Sequence, residues 1–453
     1  MEPMHRYSSI LTPLLGIVFC HAVLDTRTTC HADDELPNIV VLFVDDLGYF
    51  DVGFRNKDFH TPNIDKLASQ AMVLNNAYVP SPACSPSRVG LYTGQHPARL
   101  QFYRHIPGAP KGEFHLWMND PALLPSRNYL PLDTVTYAEV VKKKGYKTLF
   151  VGKWHLGGAG YGPFRQGWDQ VINRHTGGTR WQGYYASDSE EQSGRDQSQR
   201  KYLTDHLTDK VVDFVRQYDN DEPFLIQFSY HNVHSPTQGR KDFLEMYRKR
   251  GFTGELVEYG AQVSAVDASV GRVLDALQES GKTENTIIIF VSDQGSLFPN
   301  RPLRGSKAVG TALFEGGLKV PFLVKWPGRL KPGTSTETHV QTSDIFPTIC
   351  EIVGDSPSNY QGLEGLSLVG VLTRNEPLDR KAIFALRSYD GQYASVLTRD
   401  NWKLIAYRDN RYELFKVDED ISEARDLAGQ LPERVKELAA LLKRWKADTG
   451  VPF

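Results

Sequence analysis

Five short apolar runs, at residues 39–44, 148–151, 224–228, 287–291 and 321–324, constrain the fold of this chain more than any other feature. Each is too short for an ordinary helix and nearly unbroken in apolarity, which is the pattern of a strand buried on both faces. Helical periodicity lies between them. Residues 202–216 carry Leu203, Leu207, Val211, Phe214 and Val215 on one face, and residues 262–280 carry Val263, Val266, Val270, Val273, Leu274 and Leu277 before Gly281 stops the pattern. This alternation predicts an α/β fold with a mainly parallel central sheet covered by helices on both faces. A chain of 453 residues exceeds one ordinary domain and predicts something smaller beside it.

That smaller part is expected at the end of the chain. From about residue 380 the sequence reads as short strands at 395–398, 403–407 and 412–417, with turns at Arg399-Asp400-Asn401 and Arg408-Asp409-Asn410. Pro432 then opens a helix whose Val435, Leu438, Leu441, Leu442 and Trp445 share a face. The expectation is a small antiparallel sheet with a helix packed on it. At the other end, Arg6, an apolar stretch over 10–23 and Cys30-His31-Ala32 read as an export signal. The stretch is short and broken by Pro13 and His21, so no stable membrane span is expected. The resulting division is a signal peptide at 1–32, a catalytic domain at 33–375 and a C-terminal subdomain at 376–453. Residues 174–200, rich in Gly, Ser, Gln and charge, read as a solvated loop and a rim of the cleft.

Composition narrows the function. A net charge of -2 with 23% charged residues supplies no basic stripe for nucleic acid. Of four cysteines, Cys20 and Cys30 would leave with the signal, so the exported chain keeps Cys84 and Cys350. Cys350 ends the apolar stretch Ile345-Phe346-Pro347-Thr348-Ile349 and reads as core, although its pairing with Cys84 stays open. No Asn-x-Ser/Thr sequon occurs, and bacterial export, to the periplasm or outside, is the expected location.

The polar residues are placed in a telling way. Asp45-Asp46 follow the first apolar run, Lys153 and His155 the second, His231 and His234 the third, and Asp293-Gln294 the fourth. Open α/β sheets bind ligands outside the carboxyl ends of their strands. Three carboxylates converging there are costly without a cation, and hard oxygen donors suit calcium or magnesium. Singly, each Asp would more often be a cap or turn residue.

Cys84-Ser85-Pro86-Ser87-Arg88, followed by Leu91 and Thr93-Gly94, resembles the C-x-P-S-R/L-x-T-G signature of the type I, formylglycine-dependent sulfatases of the alkaline phosphatase superfamily. Gly152-Lys153-Trp154-His155-Leu156-Gly157 is similar to that family's G-K-W-H-L-G. Asn232-Val233-His234-Ser235-Pro236 is similar to its N-x-P-H-x-P, with valine at the first proline. Arg304-Gly305-Ser306-Lys307 through Glu315-Gly316-Gly317 resembles R-G-x-K followed by E-G-G. The resemblance covers about residues 37–372 and is weaker beyond.

It implies an alkaline-phosphatase-like α/β/α sandwich and an arylsulfatase-like sulfuric ester hydrolase. It also implies that a maturation enzyme converts Cys84 to formylglycine, whose hydrate supplies the nucleophile. By the same resemblance, Asp45, Asp46, Asp293, Gln294 and an oxygen of residue 84 hold one calcium or magnesium ion. Arg88 and Lys153 orient residue 84, His155 takes a proton, and Lys307 and His234 clamp the sulfate and assist the leaving alcohol. The chain departs from the family at Gln294, where Asn is usual, so the amide oxygen stands one methylene further out. Sulfated small molecules or glycans are the implied substrates. Tyr103, His105, Trp117, Trp181, Tyr184 and Tyr185 are candidates to border the cleft, with loop packing the equal alternative. A phosphonate monoester or phosphodiester hydrolase, and a non-catalytic binder of sulfated glycans, are the competing expectations.

Overall fold

The first apolar run becomes the centre of a sheet because both of its faces are claimed. In the computed structural model, which describes residues 1, 35–108, 110–120, 123–158, 160–172, 183–185, 200–388 and 391–452, it is strand β1 (Asn38–Val44). Ile39, Val41 and Phe43 enter one core cluster and Val40, Leu42 and Val44 the other, all fully buried. Each such side chain contributes about 1.5–3 kcal/mol on burial, which is why the run shows no polar alternation. The expected signal segment beyond residue 1, most of the 174–200 loop, Trp181 and the side chain of Trp117 lie outside the described residues.

The remaining strands are β2 (Met72–Tyr78), β3 (Phe114–His115), β4 (Ser126–Arg127), β5 (Lys147–Gly152), β6 (Gln170–Ile172), β7 (Phe224–Ser229), β8 (Thr286–Ser292), β9 (Phe322–Lys325), β10 (Thr334–Gln341), β11 (Ala382–Leu386), β12 (Gln392–Thr398), β13 (Trp402–Tyr407) and β14 (Tyr412–Lys416). The main sheet has eight strands in the order β10-β2-β9-β8-β1-β7-β5-β6. All neighbours are parallel except at β9, which runs antiparallel to β2 and β8. Residues 321–324 were expected among the parallel strands; an apolar run encodes burial but carries no direction, and β9 reverses. Strands β2 and β10 escape the hydrophobic pattern because they pair near the edge through polar groups. Asn75 and Asn76 donate to Glu337, which lies on β10.

Register decides what meets at the sheet's end. Phe43 lies opposite Ser229, Ser229 opposite Gly152, and Val44 opposite Ser292. Four adjacent parallel strands therefore finish level, and the residues that follow them stand side by side. The helices Leu203–Gln217 and Glu255–Glu279 cover one face of the sheet, the second starting two turns earlier than its apolar periodicity indicates.

The C-terminal strands form a four-stranded antiparallel sheet in the order β11-β12-β13-β14. The helix Pro432–Thr449 buries Leu438, Leu442 and Trp445 against it, with the Trp445 ring stacked on Phe384 at 5.0 Å. This sheet and the parallel one lie in the same compact unit, Leu36–Phe453. Cys84 and Cys350 are both buried and both free thiols, so the pairing left open by the sequence is absent. No helix among the described residues is long and apolar enough to cross a membrane.

Candidate active site

Two glycines set the approach of the strand ends. Gly152, at φ 100°, would place a Cβ 1.9 Å from the Ser229 carbonyl oxygen, so only glycine lets β5 end this close to β7 and deliver Lys153. A Cβ at Gly295 would lie 2.0 Å from the Gly316 carbonyl oxygen, which explains why the loop after Gln294 and the Glu315-Gly316-Gly317 turn are both glycine-rich. Asp46 and His155 adopt left-handed φ values of 65° and 57° without being glycine. Such conformations persist only where the surroundings fix them, and they cluster at functional sites.

Carboxylates converge first. Ligand atoms of Asp45, Asp46 and Asp293, all fully buried, lie within 4.8 Å of one another. The Asp46 amide donates to Asp293 Oδ1 at 3.0 Å and the Asp45 amide to the Asn232 carbonyl at 2.8 Å. Gln294 donates from Nε2 to Asp46 Oδ1 at 2.5 Å and to Cys84 Sγ at 3.2 Å, while its Oε1 is buried without a partner.

Cations surround the carboxylates. Arg88, fully buried, donates to Asp293 Oδ2 at 3.0 Å and to the Lys153 carbonyl at 2.8 Å, and lies 3.8 Å from Asp45 Oδ1. Lys153 pairs with Asp45 and Lys307 with Asp46. His234 Nε2 is 3.9 Å from Asp46 Oδ2, and its side chain is 35% exposed, so this imidazole faces both the cluster and solvent.

Cys84 sits at the first position of the helix Cys84–Thr93, where free N–H groups favour an anion. Its Sγ is 3.6 Å from Asp45 Oδ1. Burial and Asp45 push the thiol up, but Lys153, Lys307 and a hydrogen bond from His234 outweigh them and bring it down to about 6. The pocket is thus built for negative charge at residue 84. Burial drives Asp45 upward too, yet Lys153, His234 and Arg88 hold it well below the usual carboxylate range. Burial, with Asp45 and Cys84 beside it, pushes Asp293 well above that range. The three converging carboxylates and the bare Gln294 Oε1 together offer the hard oxygen donors that suit a divalent cation.

His155 stands to one side, bonded through Nε2 to the Ile106 carbonyl at 2.9 Å, with its ring 6.5 Å from that of His105. Of the other aromatic candidates, Tyr184 and Tyr185 pack with Tyr202 in a buried cluster and Tyr103 joins the C-terminal core. These three serve packing, because a tyrosine hydroxyl with a main-chain partner is as easily buried as exposed; Tyr184, for example, donates to the His231 carbonyl at 2.7 Å.

Beyond Arg304 and Glu315-Gly316-Gly317, the scaffold of Lys307 carries no signal in the sequence. The Lys307 amide donates to the Ser296 carbonyl at 2.9 Å, and Gly316 donates to the Arg304 carbonyl at 2.8 Å. Arg304 lays its guanidinium 3.8 Å over the Phe314 ring and donates to the Glu423 carbonyl at 2.9 Å. Beneath them Lys403, 1% exposed, bridges Glu315 at 2.8 Å and Glu423 at 2.9 Å. Glu315 and Lys403 are far apart in the chain, and only the packing of β13 against this loop reveals the pair.

Comparison with known proteins agrees with this geometry. The family profile "Sulfatase" matches residues 37–355, and "N-sulphoglucosamine sulphohydrolase, C-terminal" matches residues 311–448. The chain is 28% identical to the N-acetylgalactosamine-6-sulfatase of Mus musculus, over 87% of this chain and 76% of the relative. It is 28% identical to a sulfatase of Formosa agariphila, over 99% and 95% respectively. The crystal structure of Ps i-CgsB in complex with k-i-k-neocarrahexaose superposes with a TM-score of 0.80 at 27% identity, covering 92% of this chain and 94% of the other. The fold is that of the alkaline-phosphatase-like sulfatases, and this chain belongs to the sulfatase family of sulfuric ester hydrolases.

Proposed function

We propose that this protein hydrolyses sulfate monoesters on sulfated carbohydrates, with residue 84 as formylglycine and one calcium or magnesium ion in the carboxylate cluster. The observation that carries the reading is the meeting of Cys84, at a helix N-terminus, with Asp45, Asp46 and Asp293 and with the cations Arg88, Lys153 and Lys307. A sulfate ester repels nucleophiles through its anionic oxygens, so its hydrolysis needs fixed positive charge around the tetrahedral group.

Asp45, Asp46, Asp293 and Gln294 would hold the ion, which when bound polarises the sulfate oxygens. Formylglycine hydrate at residue 84 would supply the attacking hydroxyl, produced by a maturation enzyme from Cys84. Arg88 holds Asp293 and the Lys153 carbonyl and so fixes the floor of the pocket. Lys153, paired with Asp45, orients residue 84 with Arg88 and meets its developing charge, while Lys307, paired with Asp46, clamps the sulfate with His234. His155, kept neutral by burial and the nearby Lys153 charge, is the proton acceptor. His234, partly exposed beside Asp46, faces the leaving alcohol and assists its departure. Similarity to enzymes named for N-acetylgalactosamine-6-sulfate and N-sulphoglucosamine, and to a structure holding a neocarrahexaose, supports a sulfated sugar as substrate. We further propose bacterial export to the periplasm or outside, with a signal at 1–32, a catalytic domain at 33–375 and a subdomain at 376–453.

The deciding experiment assays the matured enzyme on an aryl sulfate, a panel of sulfated sugars, and the matching phosphodiester and phosphonate ester. A terminal sulfated sugar is expected to be fastest, since remote contacts position the reacting group. Faster cleavage of the phosphodiester or phosphonate than of every sulfate would overturn the assignment. Absence of turnover on all of them would favour a glycan binder.

A further inference from the structure

The main chain dictates which nitrogen of His155 is free to react. Nε2 lies 2.9 Å from the carbonyl oxygen of Ile106, an atom that can only accept, so the hydrogen of the neutral ring resides on Nε2. The lone pair is then on Nδ1, which is buried and has no hydrogen-bond partner among the described residues. Burial and Lys153 hold the ring neutral, well below its ordinary value.

The Ile106 backbone is itself anchored. Its N–H donates at 3.0 Å to the hydroxyl of Ser85, a fully buried residue one position after Cys84. The segment leading to it is fastened by Ser126, whose Oγ accepts from the amides of Tyr103 at 3.2 Å and Arg104 at 3.1 Å. The backbone of one residue thus joins the start of the Cys84 helix, through the Ile106 N–H, to the ring of the histidine, through the Ile106 carbonyl on the far side of the same Cα.

We infer that Ser85 is a positioning residue for the proton acceptor. Its hydroxyl accepts from the Ile106 N–H and so holds the Ile106 backbone, the Ile106 carbonyl locks His155 as the Nε2–H tautomer, and Nδ1 is left as the atom that takes the proton. On transfer, the O–H bond of the unsulfated hydroxyl of residue 84 breaks and its proton bonds to Nδ1, while the electron pair left on that oxygen re-forms the aldehyde as sulfate departs; the imidazolium keeps its Nε2–H on the Ile106 carbonyl, so the ring need not turn during the step. The inference rests on the role of His155 proposed above.

Nitrogen NMR of protein labelled with ¹⁵N-histidine, with His155 assigned by its loss in His155→Gln, reads the tautomer directly and needs no turnover. A protonated Nε2 and an unprotonated Nδ1 at neutral pH are expected. A proton on Nδ1 overturns the inference while leaving the sulfatase reading to the ester panel. In parallel, Ser85→Ala is expected to lower kcat about 10- to 100-fold, as removal of an outer-shell orienting partner does, with KM within about twofold. Rates are normalised to the formylglycine content at residue 84, measured by peptide mass spectrometry. Ser85→Thr, which restores the hydroxyl, should recover most of kcat. An unchanged kcat in Ser85→Ala, or a loss confined to KM, refutes the positioning role.

Discussion

Gln294 offers the sharpest test of the carboxylate cluster, because its amide is only half satisfied. Nε2 serves Asp46 and Cys84, whereas Oε1 is buried and bare. A buried acceptor left without a partner costs about 1–3 kcal/mol. A cation held among Asp45, Asp46 and Asp293 that took Oε1 as a ligand would give this acceptor its partner and recover that cost. At about 1.4 kcal/mol per tenfold, the recovery amounts to roughly 5- to 100-fold in ion affinity. Gln294→Ala should therefore weaken calcium or magnesium binding by that factor, read by calorimetric titration of chelator-stripped protein. It should also shrink the ion-dependent gain in unfolding free energy by about 1–3 kcal/mol at saturating ion, by mass action. Gln294→Asn, with the family's shorter amide, should preserve or raise affinity. Binding in Gln294→Ala that matches wild type within twofold would falsify the ligand role and assign the fourth position to another donor.

Three further outcomes are expected. Cys84→Ala should leave urea unfolding nearly unchanged while abolishing turnover, and active wild-type protein carrying only thiol at residue 84 in peptide mass spectra would contradict the formylglycine reading. Lys403→Met strands Glu315 and Glu423 without their shared cation and should destabilise by about 3–5 kcal/mol, the usual result of breaking a buried pair; a loss under about 1 kcal/mol in equilibrium urea unfolding would show the cluster to be dispensable. Burial raises Asp267 to about 6 despite its bonds from the Asn63 and Ile64 amides. A carboxyl raised on folding favours the folded state most below its unfolded value near 4 and loses that contribution as pH rises through about 6. The stability of wild type relative to Asp267→Asn should accordingly fall between pH 4 and 7, and a flat or rising difference would reverse the sign.

The sequence made the central sheet legible because β1, β5, β7 and β8 are buried on both faces and so read as unbroken apolar runs. Strands β2 and β10 stayed hidden, since their Asn75, Asn76 and Glu337 pair across the ladder and look like loop residues in a linear string. Polar residues placed just after each run located Asp45, Lys153, His234 and Asp293 with no structure at all, since a strand end is a position that sequence encodes. Hydrogen bonds made by the backbone are a different matter. The Ile106 carbonyl bonded to His155 has no side-chain signature, and nothing within Cys84-Ser85-Pro86-Ser87-Arg88 marks Ser85 out. Tyr184 and Tyr185 stood level between cleft lining and loop packing, because an aromatic that lines a cleft and one that packs a loop have the same letter.

The bridge from Lys403 to Glu315 and Glu423 also bears on when a newly made chain becomes an enzyme. Glu423 caps the Glu315 amide across 108 positions and receives the Arg304 guanidinium across 119. During synthesis from the N-terminus, Cys84, Lys153, His155 and Asp293 all emerge while these partners do not yet exist. The loop bearing Lys307 has its own bonds to Ser296 and Arg304 but lacks its outer brace until β13 and the turn at Glu423 arrive. A polypeptide cut short before that point would own Cys84, Lys153, His155, Asp293 and Lys307 and still lack the buried Lys403–Glu315–Glu423 bridge beneath the loop of the last of them.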